Sequence, residues 1–154
     1  MSWILLTTDD LKTYLSGAEY DGLTTAALAS GQDADEVVES VIADTIQLVR
    51  GYVAGCTQNT LGSGATIPQE LKTPALVIAR NSVFGRLPGM QALNDDTRQQ
   101  AVRDAMALLR DVAACRFKLE QPATPTEQVV SGPAVEVVNS RTRTATRETM
   151  GGLL

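Results

Sequence analysis

The side chains in this sequence that could carry chemistry are carboxylates, two cysteines and a glycine-bearing loop, because histidine is absent. That absence removes the commonest general base and metal ligand. The carboxylates gather as Asp9-Asp10, as Asp33 with Asp35-Glu36, and as Asp95-Asp96. Clustered carboxylates can hold a divalent cation or divide acid and base roles. Each group falls at the predicted start of a helix, however, where an acid caps free N–H groups and faces the positive end of the dipole. Capping accounts for all three, so no metal, cofactor or catalytic residue is expected. Cys56 and Cys115 lack the spacing of a zinc knuckle or redox pair and read as buried, reduced small hydrophobes in a cytosolic protein. The loop around Leu61-Gly-Ser-Gly64 has no Gly-Lys-Ser/Thr after it and no strand before it, so it reads as a plain loop. No serine nucleophile motif is present, and an enzyme is not the expected reading.

The elements that must position these residues are helices. Val38, Val41, Ile42, Leu48, Val49 and Tyr52 recur at three- and four-residue steps between Asp33 and Gly55, predicting one long helix with a buried face. Asp33 with Glu36 forms a capping box at its start, and Gly55 supplies a left-handed stop. Before it, Trp3–Leu6 suits a short strand or a hydrophobic staple. Thr7 and Thr8 cap a brief helix with Leu11, Tyr14 and Leu15 inward. Ser16 and Glu19 box a second helix that runs through Leu28 and stops at Gly31. After it, Pro68 opens a helix that Pro74 bends, with Ala75 to Ala79 as the most buried stretch. Asn94 caps a last helix whose stripe is Val102, Ala105, Met106, Leu109, Val112 and Ala113; Arg98, Arg103, Arg110 and Arg116 mark its solvated faces.

After Phe117 the texture changes. Gln121-Pro-Ala-Thr-Pro-Thr reads as a linker. Val129-Val130 and Val135-Glu-Val-Val138 are strand-like, and Arg141-Thr-Arg-Thr-Ala-Thr-Arg147 alternates as an extended strand does. Met150-Gly-Gly-Leu-Leu closes the chain. The expected architecture is all-α: a small bundle of four to five helices over residues 1–117, with an extended, partly β-strand arm over residues 118–154. Such an arm lacks a core of its own and is expected to order against a partner.

Composition narrows the class. Hydrophobic residues make up 44% and aromatics 4% of the 154 residues, enough for one aliphatic core. No apolar run approaches the roughly 20 residues that span a bilayer, so no membrane role is expected. The net charge of −5 is unevenly spread. Up to Cys56 nine carboxylates face only Lys12 and Arg50, a balance of −7, whereas from Asn139 onward Arg141, Arg143 and Arg147 face Glu148, a balance of +2. An acidic head and a basic tail can pair between copies of the chain.

Three segments together resemble one known pattern: Trp3-Ile-Leu-Leu-Thr-Thr-Asp-Asp-Leu11, Ile67-Pro-Gln-Glu-Leu-Lys-Thr-Pro-Ala-Leu-Val-Ile-Ala-Arg80, and Ala107-Leu-Leu-Arg-Asp-Val-Ala-Ala-Cys-Arg-Phe117. In order and spacing the chain resembles the Mu-type family of tailed-phage head–tail connector (neck or adaptor) proteins. Arg143-Thr-Ala-Thr-Arg147 occupies the family's arginine-flanked extended run, with Ala145 where relatives often carry an aromatic.

The resemblance implies a virion protein, made in the host bacterial cytoplasm, that sits at the head–tail interface. It implies a homo-oligomeric ring of twelve copies under the portal protein, a further neck or tail-completion partner, and DNA passing through without specific binding. The alternative is a small helical DNA-binding or regulatory protein, which would need a basic recognition helix where this chain is acidic. Partner binding is expected in the arm. Val135 and Val137 would pair along a strand edge, Arg141, Arg143 and Arg147 would meet an acidic strip, and Met150, Leu153 and Leu154 would fill an apolar pocket.

Overall fold

Asp33 stands in extended backbone, and its carboxylate accepts the Asp35 N–H at 2.8 Å, starting helix α3 (Ala34–Gly55). The computed structural model describes residues 3–123. No reciprocal bond from Glu36 accompanies this cap, so the N-terminus is held by Asp33 and not by a capping box. Val37, Val38, Val41, Ile42, Ile46, Val49 and Val53 are all buried along α3, giving a wider face than the sequence stripe. Leu48 is nevertheless exposed and Tyr52 half-buried, although both follow the helical period of the stripe. Thr45 is buried on the same side and satisfies its hydroxyl on the Val41 carbonyl at 2.8 Å.

Two shorter helices precede α3. Thr7 accepts the Asp10 N–H while Asp10 accepts the Thr7 N–H, a capping box that opens α1 (Thr8–Tyr14). Leu11 and Leu15 turn inward as expected; Tyr14, placed with them by spacing, is exposed because the helix ends there. The Ser16–Glu19 box opens α2 (Gly17–Ala29), which closes at Gly31 with φ 71°. There the Gln32 N–H reaches the Ala27 carbonyl at 2.9 Å and the Gly31 N–H that of Leu28, a Schellman stop.

Trp3–Leu5 is strand β1, paired antiparallel with β2 (Thr66–Pro68), with Ile4 opposite Ile67. Pro68 thus ends a strand instead of opening a helix, where its missing N–H breaks no ladder. A 3-10 turn at Gln69–Leu71 leads into α4 (Lys72–Arg86). Pro74 is only the third residue of α4, where the N–H has no intrahelical partner anyway, so it costs no internal bond. Ala75, Leu76, Ile78, Ala79, Val83 and Phe84 are buried, as the apolar run predicts.

A second 3-10 turn, Met90–Leu93, precedes α5 (Asp96–Ala113). Asp95, one residue after the predicted Asn94, is the cap: its carboxylate accepts the Arg98 N–H at 2.9 Å. Helices α3, α4 and α5 pack on one another around the main core, with α1 and α2 laid against α3. The small helical bundle and its two-stranded β element agree with the fold class read from sequence.

The cysteines overturn the sequence reading. Cys56 and Cys115 form a disulfide, their Cα atoms 5.2 Å apart and 59 positions distant in sequence. The C-terminal ends of α3 and α5 converge here, a tertiary juxtaposition that no spacing rule reports. Gly55 is needed for this approach and not for a left-handed stop: a Cβ there would lie 3.1 Å from the Ala113 Cβ. Cys115 takes the left-handed role instead, with φ 59°. Its N–H bonds the Val112 carbonyl and the Arg116 N–H that of Asp111, closing α5 in a second Schellman motif.

Candidate interaction surfaces

The capping carboxylate Glu19 does more than cap. Its Oε2 accepts the Ser16 N–H at 2.8 Å while Oε1 meets two guanidinium groups. Arg80 of α4 donates from Nε at 3.0 Å and also from Nη2, and Arg98 of α5 approaches to 2.7 Å. Glu19 and Arg80 are both buried, and the Arg80 guanidinium lies 4.3 Å over the Phe84 ring. Burial pushes the Glu19 carboxyl upward, but the Arg80 bonds, the Ser16 N–H and the Arg80 charge outweigh it and hold the group below its ordinary range. A carboxylate clamped by two cations ties α2, α4 and α5 together. The sequence marked Arg98 as a solvated surface residue; its i, i+3 acid, Asp95, sits 4.0 Å from its Nε, while its Nη1 reaches both Glu19, 79 positions away, and the Leu93 carbonyl.

Members of the predicted acidic groups also meet cations. Asp10 accepts from Lys72 Nζ at 2.7 Å, a bond that together with the Thr7 bonds lowers its pKa below the ordinary value against some burial. Lys12 pairs with Asp35 at 2.8 Å. Among the described residues no group of three or more cysteine, aspartate or glutamate side chains is placed to hold a metal. No helix among them is long and apolar enough to cross a membrane.

Two surfaces stand out among the described residues. One is the outer side of α2, where Tyr20, Thr24 and Leu28 recur every four residues and are all exposed. A hollow of about 550 Å³ adjoins them, lined also by Gln32, Asp33 and Asp35. A second hollow of about 390 Å³ continues past Glu36 and Ser40 to Arg86, which is bonded to Asp44 and Ser40. Sequence reasoning missed this face because it read α2 only by its caps and its end, without sorting its faces. The i, i+4, i+8 recurrence of Tyr20, Thr24 and Leu28 was the available signal.

The second surface lies at the end of the described residues. Leu119 and Pro122 are buried, the Thr60 N–H donates to Gln121 Oε1 at 2.8 Å, and the Trp3 indole donates to the Glu120 carbonyl at 3.0 Å. Residues 118–123, which the sequence assigns to the arm, therefore run back over β1 and the loop before β2. Gly62 makes room for this layer, since a Cβ there would fall 2.6 Å from the Trp3 ring. Val135, Val137, Arg141, Arg143, Arg147, Met150, Leu153 and Leu154 lie outside the described residues, as do the predicted strands that carry them.

A family profile described as bacteriophage Mu, Gp36 matches residues 6–137, from the last turn of chain before α1 to well beyond α5. The chain belongs to the bacteriophage Mu Gp36 family. That match covers most of the sequence and places the chain among phage proteins. No curated protein and no solved structure is detectably similar to it.

Proposed function

We propose that this member of the Gp36 family is a head–tail connector of a tailed phage, a virion protein that assembles as a ring beneath the portal. The family match over residues 6–137 carries the reading. The acidic first third of the chain supports it, because a wall through which DNA must slide should repel phosphates and not grip them. The segmented plan supports it too. A body with its own core, followed by a basic, β-branched arm, suits sequential assembly in which the arm orders on a neighbour. In this reading the ring has twelve copies to match the portal, a further neck or tail-completion protein binds below, and the arm from Val135 adds a strand to an edge on the portal or the adjacent copy.

The test uses purified full chain with the cognate portal protein. Co-sedimentation and negative-stain imaging should show a ring of the chain seated on the portal. A chain ending after Ala123, which retains the Trp3 and Gln121 contacts, should unfold at the same temperature yet fail to attach. Full chain that never associates with portals removes the proposal.

A further inference from the structure

The outer face of α2 is an anomaly that neither capping nor core packing explains. Leu28 is 82% exposed, and Tyr20, two turns earlier on the same side, is 40% exposed. A lone surface leucine is ordinary. A leucine and a tyrosine aligned along one helix face, beside a hollow of about 550 Å³ with Asp33 and Asp35 in its wall, make a docking surface. We propose that this face receives the C-terminal end-piece, residues 141–154, of a neighbouring copy of the chain. The inference rests on the assembly reading above in taking its occupant from a second copy.

Three observations select that occupant. The first is charge: the end-piece carries Arg141, Arg143 and Arg147 against Glu148, whereas the chain flanking the face carries Asp21, Asp33, Asp35, Glu36 and Glu39. Of those five, Asp35 has a salt bridge, to Lys12, which leaves the balance of the surface negative. The second is spacing. Tyr20 and Leu28 stand about 12 Å apart along a helix, and Met150 and Leu154 would stand about 13 Å apart in an extended chain. With Met150 on Leu28 and Leu154 on Tyr20, Arg147 falls about 10 Å further on, beside Asp33 and Asp35.

The third is polarity of the molecule. The described residues end at Ala123, close to the contacts of Trp3 and Thr60 and the C-terminal end of α3, while the receiving face adjoins the N-terminal end of α3. Those ends are roughly 30 Å apart. The 18 residues from Ala123 to Arg141 reach up to about 60 Å when extended, enough to cross to another copy. Donor and acceptor at opposite ends make the contact heterologous, the kind that propagates around a ring instead of stopping at a dimer.

A photo-crosslinking residue (benzoylphenylalanine) placed at position 28 of the full chain tests this without any portal. Equal amounts of 15N-labelled and unlabelled protein are mixed, irradiated and mapped by mass spectrometry. The expected product joins position 28 to a peptide within residues 148–154, with mixed-isotope pairs showing that two copies are linked. Reversing Arg141, Arg143 and Arg147 to Glu should lower its yield at least tenfold with unchanged thermal unfolding. Links confined to one chain, links between two copies of α2, links to another helix, or no link at protein concentrations up to the millimolar range each overturn the proposal. Because the portal is absent, a positive result stands even if portal attachment fails, and a negative one leaves the connector assay to be judged by itself.

Discussion

Arg80 and Glu19, 61 positions apart in the sequence, meet inside the protein with the guanidinium Nε 3.0 Å from the carboxylate. Arg98 completes the clamp from α5. Removing one member of a buried pair leaves an uncompensated charge, which costs about 3–5 kcal/mol. Arg80→Met should therefore destabilise the chain far more than Arg103→Met, whose side chain is exposed and bonds Gln100. Chemical denaturation of the two variants measures the difference. Similar midpoints would show that Glu19 is held by other means.

The same clamp sets a pH dependence. Glu19 has a lowered pKa in the fold, so it binds fewer protons there than in the unfolded chain at mildly acidic pH. Its stabilisation is fully present above the ordinary glutamate pKa of about 4.3 and is lost as pH falls through the lower folded value. Asp10, also lowered, by Lys72, acts in the same direction. Between roughly pH 5 and 2 the wild type should lose stability more steeply than Glu19→Gln, whose lower starting stability changes less over that window. Parallel curves in acid titrations of unfolding would contradict the assignment.

The Cys56–Cys115 bridge closes 59 residues that include β2, α4 and α5. By chain entropy a loop of that size stabilises by about 4 kcal/mol. Reduction should lower the unfolding midpoint accordingly. Cys115 also holds a left-handed backbone, which costs a non-glycine residue roughly 1–2 kcal/mol. Cys115→Gly should then be more stable than Cys115→Ala by about 1 kcal/mol, although both lose the bridge. Equal stabilities would show that the φ of 59° carries no strain.

Ile42 and Leu109 are buried in the main core, so either change to Ala should cost about 2–5 kcal/mol. Leu48→Ala, at an exposed position of the same helix, should cost under about 1 kcal/mol. A large loss at Leu48 in the free chain would mean that its face is covered in solution.

Affinity for duplex DNA should be weak, with dissociation constants above the micromolar range at physiological salt. The balance of −7 up to Cys56 offers few cations to displace counterions from phosphates. A sub-micromolar constant from fluorescence anisotropy would favour a DNA-binding role instead.

Much of the helical plan was legible in the sequence because its signals are local. Caps at Thr7, Ser16 and Asp33, the stop at Gly31 and the apolar run from Ala75 to Ala79 each depend on neighbours within a few residues. Where reading failed, the deciding contact was remote. The disulfide, the Glu19 clamp and the close approach at Gly55 all join positions more than 50 apart. Pro68 and Pro74 were misread for a subtler reason. A proline is tolerated both at the end of a strand and within the first helical turn, so the residue type alone fixes the boundary only to a few positions. The receiving face on α2 was hidden because Leu28 follows the helical period on the wrong side for a core.

Trp3 is the sole tryptophan of the chain, and its indole N–H rests on the Glu120 carbonyl with the ring against Gly62. Indole emission shifts with polarity and with loss of that bond, so the root of the arm carries its own optical gauge. Excitation of unlabelled protein during mixing with portals, or during ring closure, would time the arm's departure from the body without any dye, tag or substitution.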